Sequence, residues 1–287
     1  MIGARRGTRL NVGERRSVSV LLGLLAWFAA LVFFFPVFWM ILSSFKSEQD
    51  ANGPPKLFFD PTLDRYRDVM GSTEGLLSFS TAATNSATIV LISTLLVLAM
   101  AIPAAYALAI DQIPKWRDVL FFFISTKFLP IVASILPIWI IASTFHELNT
   151  LTVLIVLYTA INLPLAIWML RSFFTEIPRE LIEASEIDGA NLRGQLSSVV
   201  LPIAAPGIAA TALLCVIFAW NEYFYAVQLN PVDGSTIPMW VTTNVSTRGN
   251  FLAKLSAASV LACIPVVVAG WIAQKRMIRG LAMGAIK

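Results

Sequence analysis

Long apolar runs separated by short polar segments set the pattern of this chain. No charged side chain occurs between Arg16 and Lys46, and charge-free stretches also cover 75–110, 148–170, 194–221 and 255–274. A further run, 119–145, contains only Lys127. A helix that crosses a bilayer needs about 20 predominantly apolar residues, and all six windows reach that length. The pattern predicts six transmembrane helices over about 18–42, 82–110, 119–145, 150–170, 203–221 and 255–273. Because the runs are continuously apolar and do not alternate every second residue, a membrane β-barrel is excluded. The first run is too long for the h-region of about 7–15 residues of a signal peptide, so it is expected to stay as a helix.

Composition agrees with this reading. Of 287 residues, 57% are hydrophobic and 13% charged, and the mean hydropathy is +0.75. Such a balance excludes a soluble enzyme and leaves no room for a large disordered tail. The net charge of +4 is unevenly spread. Arginine and lysine crowd into the N-terminal segment 1–16, the connections 111–118 and 171–193, and the tail 275–287, and are sparser in the alternate connections. Basic residues are held on the cytoplasmic side, so both termini are expected there. The positive charge is therefore a topology signal, and no nucleic-acid partner is implied. Cys215 and Cys263 fall inside apolar windows and read as small buried hydrophobes. With His146 the only histidine, no metal-ligand set is present in the pattern.

The connections are unequal, and two stand out. The outer loop, 46–80, holds Pro54-Pro55 and the amphipathic stretch PTLDRYRDVM (61–70), expected as a surface helix over the outer mouth. The cytoplasmic loop, 171–200, reads as two short helices. Thr175 is expected to cap the first, with Pro178 near its first turn and Glu180 and Glu183 close to the positive end of its dipole. Asp188-Gly189 then breaks the chain, Asn191 caps a second short helix, and Leu201-Pro202 leads back into the membrane.

At this loop the residues resemble a known pattern. Glu183-Ala184-Ser185, with Gly189 four residues later and the pair Leu201-Pro202 beyond it, is similar to the Glu-Ala-Ala loop of ATP-binding-cassette (ABC) importer permeases. Ser185 departs from the family's second alanine but keeps the position small. FFFPVFWMILSSFKSE (33–48), STKFLP (125–130), EIPRELIEASEIDGA (176–190), AWNEYFYAV (219–227) and QKRMIRGLAMGAIK (274–287) resemble the carbohydrate branch, in particular the second permease subunit of maltose-type importers. STKFLP and the stretch 255–280 look most like permeases for polyols such as sorbitol and mannitol.

The resemblance implies an all-α, polytopic type I importer permease fold in a bacterial inner membrane. It implies a homologous permease partner, an ATPase dimer carrying Mg-ATP, and a periplasmic or lipid-anchored substrate-binding protein. Glu180, Glu183, Ala184, Ser185, Asp188, Gly189, Leu201 and Pro202 are the implied ATPase-coupling residues. The chain contains no Gly-Lys dipeptide and hence no P-loop for ATP phosphates, so neither an enzymatic role nor a cofactor is expected in the chain itself.

Polar residues within the apolar windows have two readings each. Lys127 either faces a solute route or snorkels to the interface. Asn221 and Glu222, followed by Tyr223 and Tyr225, either line that route or mark the interfacial end of the fifth helix. Asn162, beside Pro164, offers a polar group inward or belongs to ordinary helix packing. A secondary transporter or channel is the alternative class. It would need coupling acids or broken helices in both halves, yet no Asp or Glu interrupts any window.

Overall fold

A computed structural model describes residues 12–71, 78–230, 236–243 and 251–284; the side chains of 12–18, 243 and 275–284 are not described. Most of the N-terminal segment, Arg248 of the last outer connection, and Lys287 fall outside the described residues. All regular structure among the described residues is helical.

The chain runs through α1 (Val12–Ser44), two short helices α2 (Glu48–Asn52) and α3 (Asp64–Gly71), α4 (Phe79–Ala109), α5 (Trp116–Ser125), α6 (Ile131–Thr144) and α7 (Leu151–Thr175). It continues with α8 (Arg179–Ile187), α9 (Leu192–Gln195), α10 (Leu201–Trp220), α11 (Phe224–Leu229), α12 (Ile237–Thr243) and α13 (Leu252–Gly284). Five of these are long and apolar enough to cross a membrane, or six if the bent pair α5–α6 is one span.

That bent pair corrects the sequence expectation of one helix over 119–145. The axis turns by 95° between Trp116–Phe128 and Ile131–Thr144, through a single 3₁₀ turn at Thr126–Phe128. Pro130 explains the break. It lacks an N–H, and its ring forces the preceding residue out of the helical region; Leu129 has φ −65° and ψ 126°. Hydroxyls serve carbonyls next to the break, Ser125 donating to Phe122 O and Thr126 to Phe123 O, both at 2.7 Å. Lys127 consequently lies at the break itself, not within a continuous third helix. Other prolines sit inside helices, at 36, 103, 137, 164, 206 and 265, as is common in membrane helices, where neighbouring groups satisfy the freed carbonyls.

Several helices outrun their apolar windows. α7 continues to Thr175, so Thr175 is the last residue of that helix and does not cap the next one. Its hydroxyl donates to Arg171 O at 2.7 Å. α13 continues past Gln274 into the basic tail. The connection after α10 carries two short helices, α11 and α12.

α4, α7 and α10 pack mutually at the centre, with α13 against α10 and α1 against α13. Two buried clusters lie along this bundle. One is built on Ile89, Leu154, Tyr158, Trp220, Leu229 and Trp240 at the end covered by α3, α11 and α12. The other, around Val97, Leu108, Ile167, Leu170, Phe174 and Ile182, lies at the end that carries α8. α10 comes close to α7 because residue 207 is Gly: a Cβ there would sit 2.5–2.7 Å from the Phe173 ring atoms Cδ2 and Cδ1, and nearer still to Cγ. Small residues at helix contacts are the usual route to such approach in membranes.

Long-range polar ties fasten the outer loop. The Glu48 carboxylate accepts from the backbone N–H groups of Ala253 (3.1 Å) and Lys254 (2.9 Å), which satisfies first-turn donors of α13. Lys46, only 1% exposed, donates to Lys56 O at 2.7 Å and lies over the rings of Trp39 and Phe59. The ammonium is thus held by a carbonyl and two aromatic faces. α3 falls within the stretch expected as a surface helix, and its Tyr66 pairs with the Ser44 hydroxyl at 2.7 Å.

Candidate functional site

α8 and α9 form a compact pair at one end of the bundle. Pro178 precedes α8 with an extended ψ of 131°, and Ile177 and Ile182 insert into the buried cluster with Leu170, Phe174, Val200 and Ala204. These two isoleucines anchor the helix while its opposite face stays in solvent. Asp188 and Gly189 end it: Asp188 N–H donates to Ala184 O at 3.0 Å, Gly189 N–H to Glu186 O at 2.9 Å, and Ala190 N–H to Ser185 O at 2.9 Å. Gly189 has φ +79°, a left-handed conformation that glycine adopts without steric cost. The Ser185 hydroxyl folds back onto Ile182 O at 2.7 Å, leaving its surface small and without a free donor.

Asn191 caps α9, its side-chain oxygen accepting from Gly194 N–H at 3.0 Å, as its sequence position implies. A wide π turn, Leu196–Val200, then leads into α10, with Leu201 N–H donating to Leu196 O. Pro202, which has no N–H to offer, follows directly, and the widened turn accommodates it. Leu201 and Pro202 therefore lie within a continuous helical rod that runs from α9 into α10.

A polar chain that no sequence signal marks, buried at Tyr106 and Gln195 and reaching the surface at Glu186, locks the pair to the bundle. The Tyr106 hydroxyl near the end of α4 donates to Gln195 Oε1, and the Gln195 amide donates to Glu186 Oε1 at 3.3 Å. Tyr106 and Gln195 are 3% and 7% exposed. Eighty-nine residues separate them, and neither belongs to a recognisable motif, so no local signal marks the contact.

The solvent face of α8 combines acids with unpartnered apolar groups. Ile187 is 88% exposed, Leu192 55% and Leu181 44%, beside exposed Glu180, Glu183, Ala184 and Asp188. Glu183 pairs with Arg179 at 3.3 Å across one helical turn, an exposed pair of little energetic weight. Isoleucine and leucine side chains standing among carboxylates on a rigid helix suit a docking surface.

The membrane candidates divide into separate places. Asn162, buried, donates from its amide to Tyr158 O at 3.0 Å. Tyr158 in turn donates its hydroxyl to Glu222 Oε2 at 2.6 Å. The other interactions of Glu222 are with the backbone: Tyr225 N–H at 2.9 Å and Ala226 N–H at 3.3 Å, so its carboxylate caps α11. Tyr225 is buried and pairs with Ser134 at 2.7 Å. Asn221 and Tyr223 lie elsewhere, lining a cavity of about 450 Å³ bounded by Trp220, Pro238, Thr242 and Cys263. Cys263 is exposed towards it, unlike buried Cys215, and so is not the buried hydrophobe expected. Lys127 stands apart at the α5–α6 break, where it is exposed. No group of three or more His, Cys, Asp or Glu side chains suited to a metal occurs among the described residues.

Comparison with known proteins gives this arrangement a family. Residues 101–280 match the family described as binding-protein-dependent transport system inner membrane component. The chain is 32% identical to the probable ABC transporter permease protein y4oR of Sinorhizobium fredii (strain NBRC 101917 / NGR234), over 97% of its own length and 99% of the relative's. It is 30% identical to the trehalose/maltose transport system permease protein MalG of Thermococcus litoralis (strain ATCC 51850 / DSM 5473 / JCM 8560 / NS-C), with 90% and 93% covered. A crystal structure of a bacterial ABC transporter that imports the acidic polysaccharide alginate shares the fold, at TM-score 0.75 and 23% identity over 93% of this chain and 99% of that one. The chain therefore belongs to the binding-protein-dependent transport system inner membrane component family, and is a multi-pass inner-membrane permease of an ABC importer rather than an enzyme.

Proposed function

We propose that this permease forms, with a homologous permease, the translocation pathway for a sugar or polyol, and that α8 receives the force of ATP hydrolysis from an ATPase dimer. The single observation that carries the coupling reading is the docking of α8–α9. The outer face of the pair is exposed and partly apolar, while its inner face is clamped to α4 through Tyr106, Gln195 and Glu186 and is continuous with α10. A load applied to Ile187 or Leu181 is passed to the bundle as a rigid-body displacement, the kind of motion that switches inward-facing and outward-facing states. Glu180, Glu183, Ala184, Ser185, Asp188 and Gly189 form the contact surface in this reading. Leu201 and Pro202 form the joint to α10. Mg-ATP belongs to the ATPase.

The carbohydrate assignment is supported by relatives whose names specify trehalose/maltose and sulfoquinovosyl glycerol. Within that class we favour a sorbitol- or mannitol-like polyol, on the likeness of STKFLP and of the last helix to polyol permeases. Asn221 and Tyr223 offer an amide and an aromatic hydroxyl at a cavity, which suits polyhydroxylated solutes. Lys127 at the helix break is assigned to the pathway. Asn162, Glu222 and Tyr225 shape it from behind. With the α8 end placed in the cytoplasm, both termini lie there too, and a periplasmic or lipid-anchored binding protein delivers solute at the α3–α11 end.

The test is a gentle solubilisation and pull-down of the tagged permease with its operon partners. Co-purification of an ATPase and a second permease is expected, with the ATPase lost on Glu183→Lys and on Gly189→Val, the latter through about 1–2 kcal/mol of left-handed strain. ATPase retained by both variants with normal uptake would overturn the coupling assignment. Stimulation of ATP hydrolysis by sorbitol or mannitol, with the binding protein present, tests the solute; stimulation by disaccharides alone would reject the polyol.

A further inference from the structure

At the α8 end, two arginines converge on one tryptophan. The Arg171 guanidinium lies 3.9 Å from the Trp116 ring centroid and that of Arg117 lies 5.2 Å from it. The two cations are close enough to repel each other electrostatically. Neither has a carboxylate within ion-pair distance among the described residues, whose ion pairs are Lys56–Asp50, Arg65–Asp68, Arg67–Asp64 and Arg179–Glu183. The Arg171 Nε is buried and has no hydrogen-bond partner, although an unsatisfied donor on a cation is expensive. Like charges that hold their positions without a counter-ion point to an anion supplied from outside the chain.

The position identifies the anion's source. Arg171 directly follows the apolar window of α7, and Trp116 opens α5, so the cluster lies where the bundle leaves the hydrocarbon region. Just along the same helices, Phe121 and Phe122 are 74% and 64% exposed and Trp168 is 46% exposed, a surface suited to acyl chains. Lys115, exposed and left-handed at φ +61°, adds a third cation. We propose that Arg117, Arg171 and Trp116 form a binding site for the phosphate of an anionic phospholipid in the cytoplasmic leaflet, the guanidiniums taking the phosphate oxygens and the phenylalanines and Trp168 the chains. Arginine's planar fork suits phosphate, and basic residues at this depth attract anionic headgroups. The leaflet follows from placing the α8 end in the cytoplasm; the site itself does not depend on the transported solute.

The experiment uses the assembled importer, permease pair with ATPase and binding protein, in nanodiscs of phosphatidylcholine with and without phosphatidylglycerol. Native mass spectrometry then counts lipid retained after mild delipidation. Phosphatidylglycerol is expected to remain on wild type in preference to phosphatidylcholine. Arg117→Gln, at an exposed position that does not endanger folding, is expected to weaken retention about fivefold, and Arg117→Gln/Arg171→Gln about 25-fold, from about 1 kcal/mol per basic residue. Arg171→Lys, which keeps the charge, is expected to retain most of the phosphatidylglycerol that Arg171→Gln releases. Equal retention of both lipids, or of phosphatidylglycerol by wild type and double variant, would overturn the site. Displacement of phosphatidylglycerol by millimolar inorganic phosphate would support the phosphate chemistry but reject the lipid as its source. An Arg117→Gln complex that keeps its phosphatidylglycerol but sheds its ATPase would overturn the proposal and assign the arginines to a protein contact.

Discussion

Gly207→Ala isolates the contact that holds α10 against α7. The added methyl would meet the Phe173 ring at 2.5–2.7 Å from Cδ2 and Cδ1, whereas carbon atoms pack at about 3.5–4.0 Å. Relief therefore requires a shift of about 1 Å. Phe173 cannot provide it by swinging a distant tip away, because the near atoms are at the root of the ring, so the rotamer must distort or the helices must part. Overpacking of this kind costs about 1–3 kcal/mol. At about 2–4 °C per kcal/mol, as for chains of about 150–250 residues, the melting temperature of the purified permease in detergent, followed by thiol-reactive dye or by loss of monodisperse protein, should fall by about 2–12 °C. Both cysteines are free, so a thiol readout is available. The cost should largely vanish in a Phe173→Ala background, because the two positions share one contact. An unchanged melting temperature for Gly207→Ala, or the same loss with and without Phe173, would refute steric contact as the reason for glycine here.

Three further outcomes follow from polar groups that tie separate segments together. Glu222→Gln removes the charge that accepts from Tyr158, Tyr225 and Ala226, and should destabilise the permease by about 1.5–3 kcal/mol in the same melt; a silent substitution would free Glu222 from its capping role. Tyr106→Phe leaves Gln195 Oε1 buried without its donor, at about 1–3 kcal/mol, and should raise amide hydrogen exchange across α8–α9 by at least about fivefold, whereas unchanged protection would show that the clamp carries no load. Glu48→Ala deprives α13 of a carboxylate on two of its first-turn N–H groups, worth about 0.5–2 kcal/mol by analogy with helix caps. Faster exchange at Ala253 and Lys254 should report it, and protection equal to wild type would count against the cap.

In the loop 171–200, two kinds of signal meet, one local and one not. Asn191 is a cap because its side chain bonds a backbone group three residues away, and Gly189 ends a helix because its own φ is positive; both effects are local, so both are readable from neighbours. Thr175 departs from its expected capping role for a related reason. A threonine suits a cap, but the helix before it runs five residues beyond the apolar window, since a helix's length depends on backbone hydrogen bonds and packing while the window marks only where charge begins. The bend at Pro130 was also within reach of the sequence, because proline restricts the residue before it, yet the apolar run on either side hid a turn that changes direction without changing hydropathy.

By itself, the sequence determined that the chain is helical, membrane-embedded and basic at alternate connections, because hydropathy and charge act on each segment through its solvent, independently of the other segments. The turn chemistry of the loop 171–200, and the family likeness that loop carries, are local in the same way. Which polar groups meet is a property of the packed bundle: Tyr106 with Gln195, Tyr158 with Glu222, Glu48 with the start of α13, and Arg117 with Arg171 around Trp116. Residues between 42 and 206 positions apart make several of these and other links across the bundle, Trp220 with Ala262 and Glu48 with Lys254 among them. Such pairings depend on how helices are rotated and how deeply they are set against one another, and no single segment encodes that.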